Sequence, residues 1–270
     1  MTTTVSRVVE AIEGSYSPQL ASDWDAVGLV CGDPSASVSR VLFAVDPVLA
    51  VVDEAMTLGA DMILTHHPLF LRGVHSVAPT TPKGRVVHTL ISHGIALYCA
   101  HTNADHARPG VSDALAAACG LRHTTAIDPP GAEVGTGRVG ELDSPVTLGE
   151  LANSLVEALP ATEHGIRVAG DLDSPVQRVA VCGGAGDSLL ELVEDSVDVY
   201  VTGDLRHHRA QDFLQASGKA LIDVPHWAAE WLWLPDAAST LQQALGADTV
   251  ATSVSMIDTS PWNAHLGRHP

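Results

Sequence analysis

The sequence predicts an α/β protein of two lobes, each a mostly parallel sheet covered by helices. Three observations carry that prediction. Short β-branched runs alternate with longer amphipathic stretches along the chain, the order that repeated strand–helix–strand units produce. Pro and Gly concentrate at 128–137 (DPPGAEVGTG), where the apolar pattern stops and later resumes. With 270 residues and 46% hydrophobic content, the chain has material for one large core or two modest ones.

The first lobe, over 1–130, opens on a helix at Val5–Glu13, whose apolar residues Val5, Val8, Val9 and Ile12 share one face. A strand follows at 39–45 (SRVLFAV), then a helix from Val48 to Leu58 that Gly59 closes. Next come a strand at 61–65 (DMILT), a loop rich in Pro and Gly, a helix at 84–93, a strand at 95–100 (IALYCA) and a helix at 111–119 stopped by Gly120. The second lobe, over 131–244, continues with strand 137–142, helix 147–158, strand 176–182, helix 186–194 and strand 197–202. Helix 205–217, strand 219–224 and a helical region over 227–244, interrupted by Pro235, complete it. A last strand at 248–255, within the stretch 245–270, is free to return to the first lobe. The chain shows no internal repeat and no low-complexity tract.

The formal charge of −18, with only 14 Lys and Arg, argues against nucleic acid as a partner, because gripping a phosphate backbone needs clustered cations. Cys31, Cys99, Cys119 and Cys182 are far apart and form no CxxC pair, so they read as reduced, buried, apolar residues. No stretch approaches the roughly 18 apolar residues of a membrane span. The segment MTTTVSRVVEAIEG lacks the basic-then-apolar layout of a secretory signal, so a cytoplasmic protein is expected.

The informative residues sit at strand ends. His66 and His67 end DMILT, His101 ends IALYCA, and His226 lies just past ALIDV. Ligands of open parallel sheets gather beyond the carboxyl ends of the strands, and a neutral imidazole nitrogen there suits Zn, Mn, Fe, Co or Ni. Two of the positions carry a carboxylate four residues on, His101-x-x-x-Asp105 and His226-x-x-x-Glu230. On a helix that spacing stacks both side chains on one face, as expected for 226–230, whereas Asp105 is expected to fold back from a loop. Six donors exceed the needs of one tetrahedral ion but suit two divalent ions, roughly 3.5–4 Å apart, sharing a bridging carboxylate.

His207 and His208, after VDVYVTG, are candidates for passing a proton or touching substrate. Lys83 and Arg85 are candidates for meeting a negatively charged substrate, although ordinary solvated charges explain them better. Gly183, Gly184 and Gly186 could cradle an anion, but without the Lys and Ser/Thr of a P-loop a tight turn explains them better. His75, His88, His93, His123, His164, His265 and His269 read as surface or capping groups, and His106, beside Asp105, is expected to point elsewhere.

The segments WDAVGLVCG (24–32), LFAVDP (42–47), ILTHHPLF (63–70), IALYCAHTNAD (95–105), VYVTGDLRHH (199–208) and LIDVPHWAAE (221–230) occur in an order that resembles the Nif-three-like family of dinuclear metal-centre proteins. Its members are often labelled GTP cyclohydrolase 1 type 2 homologs. The resemblance runs from near residue 20 to about residue 255. It implies that His66, His67, His101, Asp105, His226 and Glu230 match the family's metal-ligand positions. It also implies a two-lobed α/β fold and a ring-shaped homohexamer with the sites facing an internal cavity. The short 128–165 region leaves no room for the extra domain that some relatives carry. The chain departs from the family pattern at Ala26, where Asn is usual, and at Asp204, where Glu is usual. It departs again at Pro225, in place of Gly, and at Ala229, in place of Thr. None of these removes a ligand.

The expected function is therefore that of a metal-dependent hydrolase with two ions activating water, acting on GTP, another nucleotide or a phosphorylated small molecule. Asp105 or Glu230 would bridge the ions. A non-catalytic metal-binding scaffold or metal-handling protein would keep the same ligands without a general acid or a substrate pocket.

Overall fold

The computed structural model describes residues 3–246 and 248–266. It divides into two compact units, Met1–Ala107 with Leu234–Thr259, and Arg108–Trp233 with Ser260–Pro270.

In the first unit, β1 (Thr3–Thr4) leads into α1 (Val5–Ser15), where the Thr4 hydroxyl accepts from the amide of Arg7. Then come β2 (Gly28–Cys31), β3 (Ser37–Val38), β4 (Arg40–Ala44), α2 (Leu49–Leu58), β5 (Met62–Thr65), α3 (Pro82–Ser92), β6 (Ala96–Cys99) and α4 (Thr102–His106). Gly59 ends α2 in the left-handed conformation, φ 64°, which its missing Cβ permits. In the second unit the order is α5 (Val111–Ala118), β7 (Arg122–Thr125), β8 (Arg138–Thr147), α6 (Leu148–Ala158), β9 (Arg167–Ala169) and β10 (Pro175–Ala185). It continues with α7 (Leu190–Val193), β11 (Val199–Gly203), α8 (His207–Ser217), β12 (Ala220–Asp223) and α9 (His226–Trp231). The chain then forms α10 (Trp233–Leu245) and β13 (Ala251–Val254). Pro235 lies in the first turn of α10, where no helical partner needs its missing N–H, so the break falls at Leu232 instead.

The five-stranded sheet of the first unit has the order β13-β4-β5-β6-β2, with β13, β4, β5 and β6 parallel and β2 antiparallel on the edge. β13 thus returns to the first sheet. α2 and α3 cover this sheet through Val51, Val52, Ala55, Val86, Val87 and Leu90. The six-stranded sheet of the second unit has the order β7-β8-β10-β11-β12-β9. Its parallel centre, β10-β11-β12, is flanked by antiparallel strands on both sides. The outer strands β2, β7 and β9 have three or four residues each, too few for an alternating pattern to reveal them.

Two expectations change. The division falls after Ala107, and 128–137 is a turn within the second unit. Arg138 straps that turn down: its fully buried guanidinium donates to the carbonyls of Gly135 and Gly137 and makes a two-pronged pair with Asp113 of α5. The helix expected over 186–194 begins late, as a 3-10 turn at Asp187–Leu189 followed by α7. Gly186 is tied to β11, its amide donating to Thr202 Oγ1 and its carbonyl accepting from Tyr200, and that carbonyl also accepts the first 3-10 bond, from the Leu189 amide.

Candidate metal centre

The first unit collects its donors at one edge of its sheet. Ala44, Thr65 and Cys99 are level across β4, β5 and β6, so Asp46, His66, His67 and His101 emerge side by side just beyond them. β2 runs the opposite way with Gly28 facing Cys99, which brings Asp25 to the same edge. His66 is fully buried. Its Nδ1 lies 3.0 Å from the carbonyl of Ala100; a carbonyl only accepts, so Nδ1 carries the proton and Nε2 is the ligand nitrogen. Carboxylates impose the same tautomer on the other two rings. His67 Nδ1 is 2.8 Å from Asp46 Oδ1, and His101 Nδ1 is 2.9 Å from Asp25 Oδ1. The three imidazoles can offer ligand nitrogens that lie within 4.8 Å of one another.

Asp105 Oδ1 lies 3.7 Å from His66 Nε2. It sits on the short helix α4, not on a loop. Asp25 starts that helix, accepting from the Thr102 amide at 3.0 Å and the Thr102 hydroxyl at 2.5 Å. Burial would raise the Asp25 carboxyl's pKa, but the bonds from His101, Thr102 and the Ala26 amide outweigh it and hold the pKa below its ordinary value. The His101 imidazole is held below its usual pKa by burial and by neighbouring His66, against the pull of Asp25 and Asp105. It is therefore kept in the neutral form that a metal requires.

The second unit repeats the device. Ala185 faces Gly203 across β10 and β11, and Thr202 faces Asp223 across β11 and β12. The end of β10, Asp204 and His226 therefore share one sheet edge. Asp204 adopts φ 55°, unfavourable for a residue with a Cβ, and its Oδ2 lies 2.8 Å from His226 Nδ1. That bond is the main cause holding the Asp204 carboxyl below its ordinary pKa. Pro225 is the N-cap residue of α9, and Ala229 is fully buried. One turn along α9, Glu230 Oε1 lies 2.9 Å from His226 Nε2, with Glu230 only 3% exposed. Gly184 makes room for this pair. A Cβ there would stand 2.5 Å from Glu230 Oε1 and 3.4 Å from His226 Nε2, and its φ of +68° also favours glycine.

The donor chemistry fits divalent metal binding. All four imidazoles are anchored through Nδ1, so that Nε2 is the nitrogen each would offer a metal, as in metal-ligating histidines generally; that of His226 is paired with Glu230 Oε1. The mixed nitrogen and carboxylate donors suit borderline divalent ions. Local spacing does not single out the orienting acids Asp25, Asp46 and Asp204. They lie 76, 21 and 22 residues from their histidines, beyond any reading of neighbouring positions. Their signal was the acid at the mouth of a strand in WDAVGL, AVDP and VTGD.

The remaining candidates fall elsewhere. His207 and His208 are exposed on the first turn of α8, rings 5.1 Å apart, and His207 lines a hollow with Arg167, Gln211 and Asp223. Lys83 and Arg85 are exposed on α3, with Lys83 Nζ 5.9 Å from the centre of the Phe70 ring. The amide of Gly183 donates to Ser112 Oγ and that of Gly186 to Thr202, so neither serves an anion. His106 Nδ1 is bonded to the Leu20 carbonyl at 2.6 Å. His269 lies outside the described residues. All four cysteines are free thiols, three of them buried. No helix among the described residues is long and apolar enough to cross a membrane.

Residues 3–261 match the family model Duf34/NIF3 (NGG1p interacting factor 3). A Streptomyces coelicolor protein named GTP cyclohydrolase 1 type 2 homolog is 50% identical, over 98% of this chain and 96% of that one. A Mycobacterium tuberculosis protein of the same name is 37% identical over 97% of each chain, in an alignment of 372 positions. The crystal structure of a Bacillus cereus protein related to NIF3 superposes with a TM-score of 0.88 at 25% identity, covering 96% of this chain and 98% of that one.

Proposed function

The chain belongs to the Duf34/NIF3 family, and on that premise we propose that it is a metal-dependent hydrolase that binds two divalent ions through these donor sets. The observation that carries the proposal is the Nδ1 anchoring of all four imidazoles, which makes each a one-ended ligand before any ion arrives. His66, His67, His101 and Asp105 would contribute from the first unit, and His226 and Glu230 from the second. When bound, the ions would supply Lewis acidity and lower the pKa of water toward neutrality. The protein's part is to hold Nε2 of His66, His67 and His101 deprotonated and aimed, while His226 Nε2 would exchange its contact with Glu230 Oε1 for an ion. Asp105 and Glu230 would supply negative charge to offset the ions. His207 and His208, exposed to solvent, are proposed to carry protons.

The relatives' name supports GTP as the first substrate to try, with nucleotides and phosphoesters of small molecules as the wider class. Protein loaded with Mn, Zn or Fe would be assayed on these substrates. Turnover should vanish on chelation and in His67→Ala; turnover surviving both would sink the hydrolase reading. Retained metal without turnover on any substrate would favour the scaffold role. We also propose that the chain assembles as a homohexamer, to be checked by light scattering on the full-length protein.

A further inference from the structure

The second unit has a hollow of about 520 Å³ beside Asp204, bounded by the start of β9, the end of β12 and the segment around Trp262. Its size is in the range of small-molecule sites, roughly 300–1,000 Å³. His164, Arg167, Asp204, Asp223, Trp262 and His265 line it, with Ile166 and Val224 supplying apolar wall. We propose that this hollow binds a purine-like heteroaromatic base, stacked on Trp262 and read at its edge by the Arg167–Asp223 pair.

Three observations converge on a ring. Trp262 is 64% exposed although it lines a concavity, leaving its indole available to a planar partner. Asp223 and Arg167 form an ion pair that faces the hollow. Asp223 accepts there from Arg167 and from the Leu205 amide. A carboxylate has about four acceptor sites and a guanidinium five donors, so acceptor and donor capacity remain side by side. A purine matches this with an N–H next to a ring nitrogen or carbonyl oxygen. Finally, His164 Nδ1 is buried with no hydrogen-bond partner among the described residues, and a buried polar atom ordinarily has one. Free phosphate fits poorly, because Asp204 and Asp223 set two carboxylates against the single guanidinium of Arg167.

The inference deepens the proposed function by giving its substrate a base-binding subsite next to the acid that orients His226. Its test needs neither metal nor turnover. Guanosine and ribose 5-phosphate would be titrated calorimetrically into chelator-treated, full-length protein. Saturable guanosine binding is expected, with ribose 5-phosphate at least about tenfold weaker. Trp262→Ala should weaken guanosine by about 5- to 100-fold, the usual worth of base stacking, while Trp262→Phe stays within about threefold. Circular dichroism would confirm that both variants fold. No saturable guanosine binding, equal binding of ribose 5-phosphate, or an unchanged affinity in Trp262→Ala would each overturn the proposal. Hydrolysis assays on metal-loaded protein can fail while this titration succeeds, and the reverse, so the two readings are tested apart.

Discussion

Asp25 Oδ1 and His101 Nδ1 lie 2.9 Å apart although 76 residues separate them. The same carboxylate holds the first residue of α4 through Thr102, so a single acid fixes the tautomer of His101 and the start of the helix that carries Asp105. Asp25→Ala should therefore lower metal affinity by about 10- to 100-fold. Competition against a chromophoric chelator measures this directly, and unchanged affinity would refute the orienting role. Asp25→Asn should lose less, since its amide oxygen can still accept one of these bonds.

Gly184→Ala tests whether the space beside Glu230 matters. The added methyl meets Glu230 Oε1 at 2.5 Å and the backbone is left-handed, so the variant should lose about 1–3 kcal/mol of stability. Because the clash falls on His226 and Glu230, metal content should fall as well. Gly218→Ala, also at a left-handed backbone but with nothing within 4 Å of the new methyl, is the control: stability should fall while metal content stays. Equal metal content in the two variants would contradict the assigned role of Gly184.

The Arg138–Asp113 pair should behave as a buried ion pair. Removing the carboxylate in Asp113→Ala strands a fully buried guanidinium, a loss expected to cost about 3–5 kcal/mol in urea denaturation. It also removes the acceptor of the Gly110 amide at the start of α5. The double variant Asp113→Ala/Arg138→Met should be less destabilised than Asp113→Ala alone, because no uncompensated charge remains inside. A double variant as unstable as the single would show that the charge was not the cost.

Asp61 gives a prediction in pH. Burial works against its charge, but bonds from the Ser39 hydroxyl, the Ser39 amide and the Arg40 amide outweigh it and hold the carboxyl below its ordinary value. Because the folded pKa is depressed, the stabilisation is fully present above the unfolded value near ~3.9. It is lost as pH falls through the lower folded value. Asp61→Ala should be destabilised by about 1–2 kcal/mol at pH 7, with the gap from wild type narrowing as urea melts are taken toward pH 3. A gap that stays constant with pH would mean that the charge contributes nothing.

Part of the site is legible in the sequence. The 226–230 spacing placed Glu230 against His226 because both lie on one short helix, where periodicity alone fixes the neighbour. The same reasoning missed α4, because five residues carry too little periodicity and Asp25, from a distant segment, holds the helix start. It also set the division near 130, since a Pro/Gly cluster marks a turn without saying whether the turn lies inside a unit or between two. The pairing of β7 with β8 across the turn and the buried pair of Arg138 with Asp113 show that it lies inside.

The sequence by itself determined the order of strands and helices and the placing of histidines at strand ends. Both are local properties, written in hydrophobic period and in the residue that follows a β-run. Tertiary structure decided which acid orients which imidazole, and that Gly184 must stay bare beneath Glu230. Those relations depend on the register between strands far apart in the chain, and register is set by hydrogen bonds and packing across the sheet.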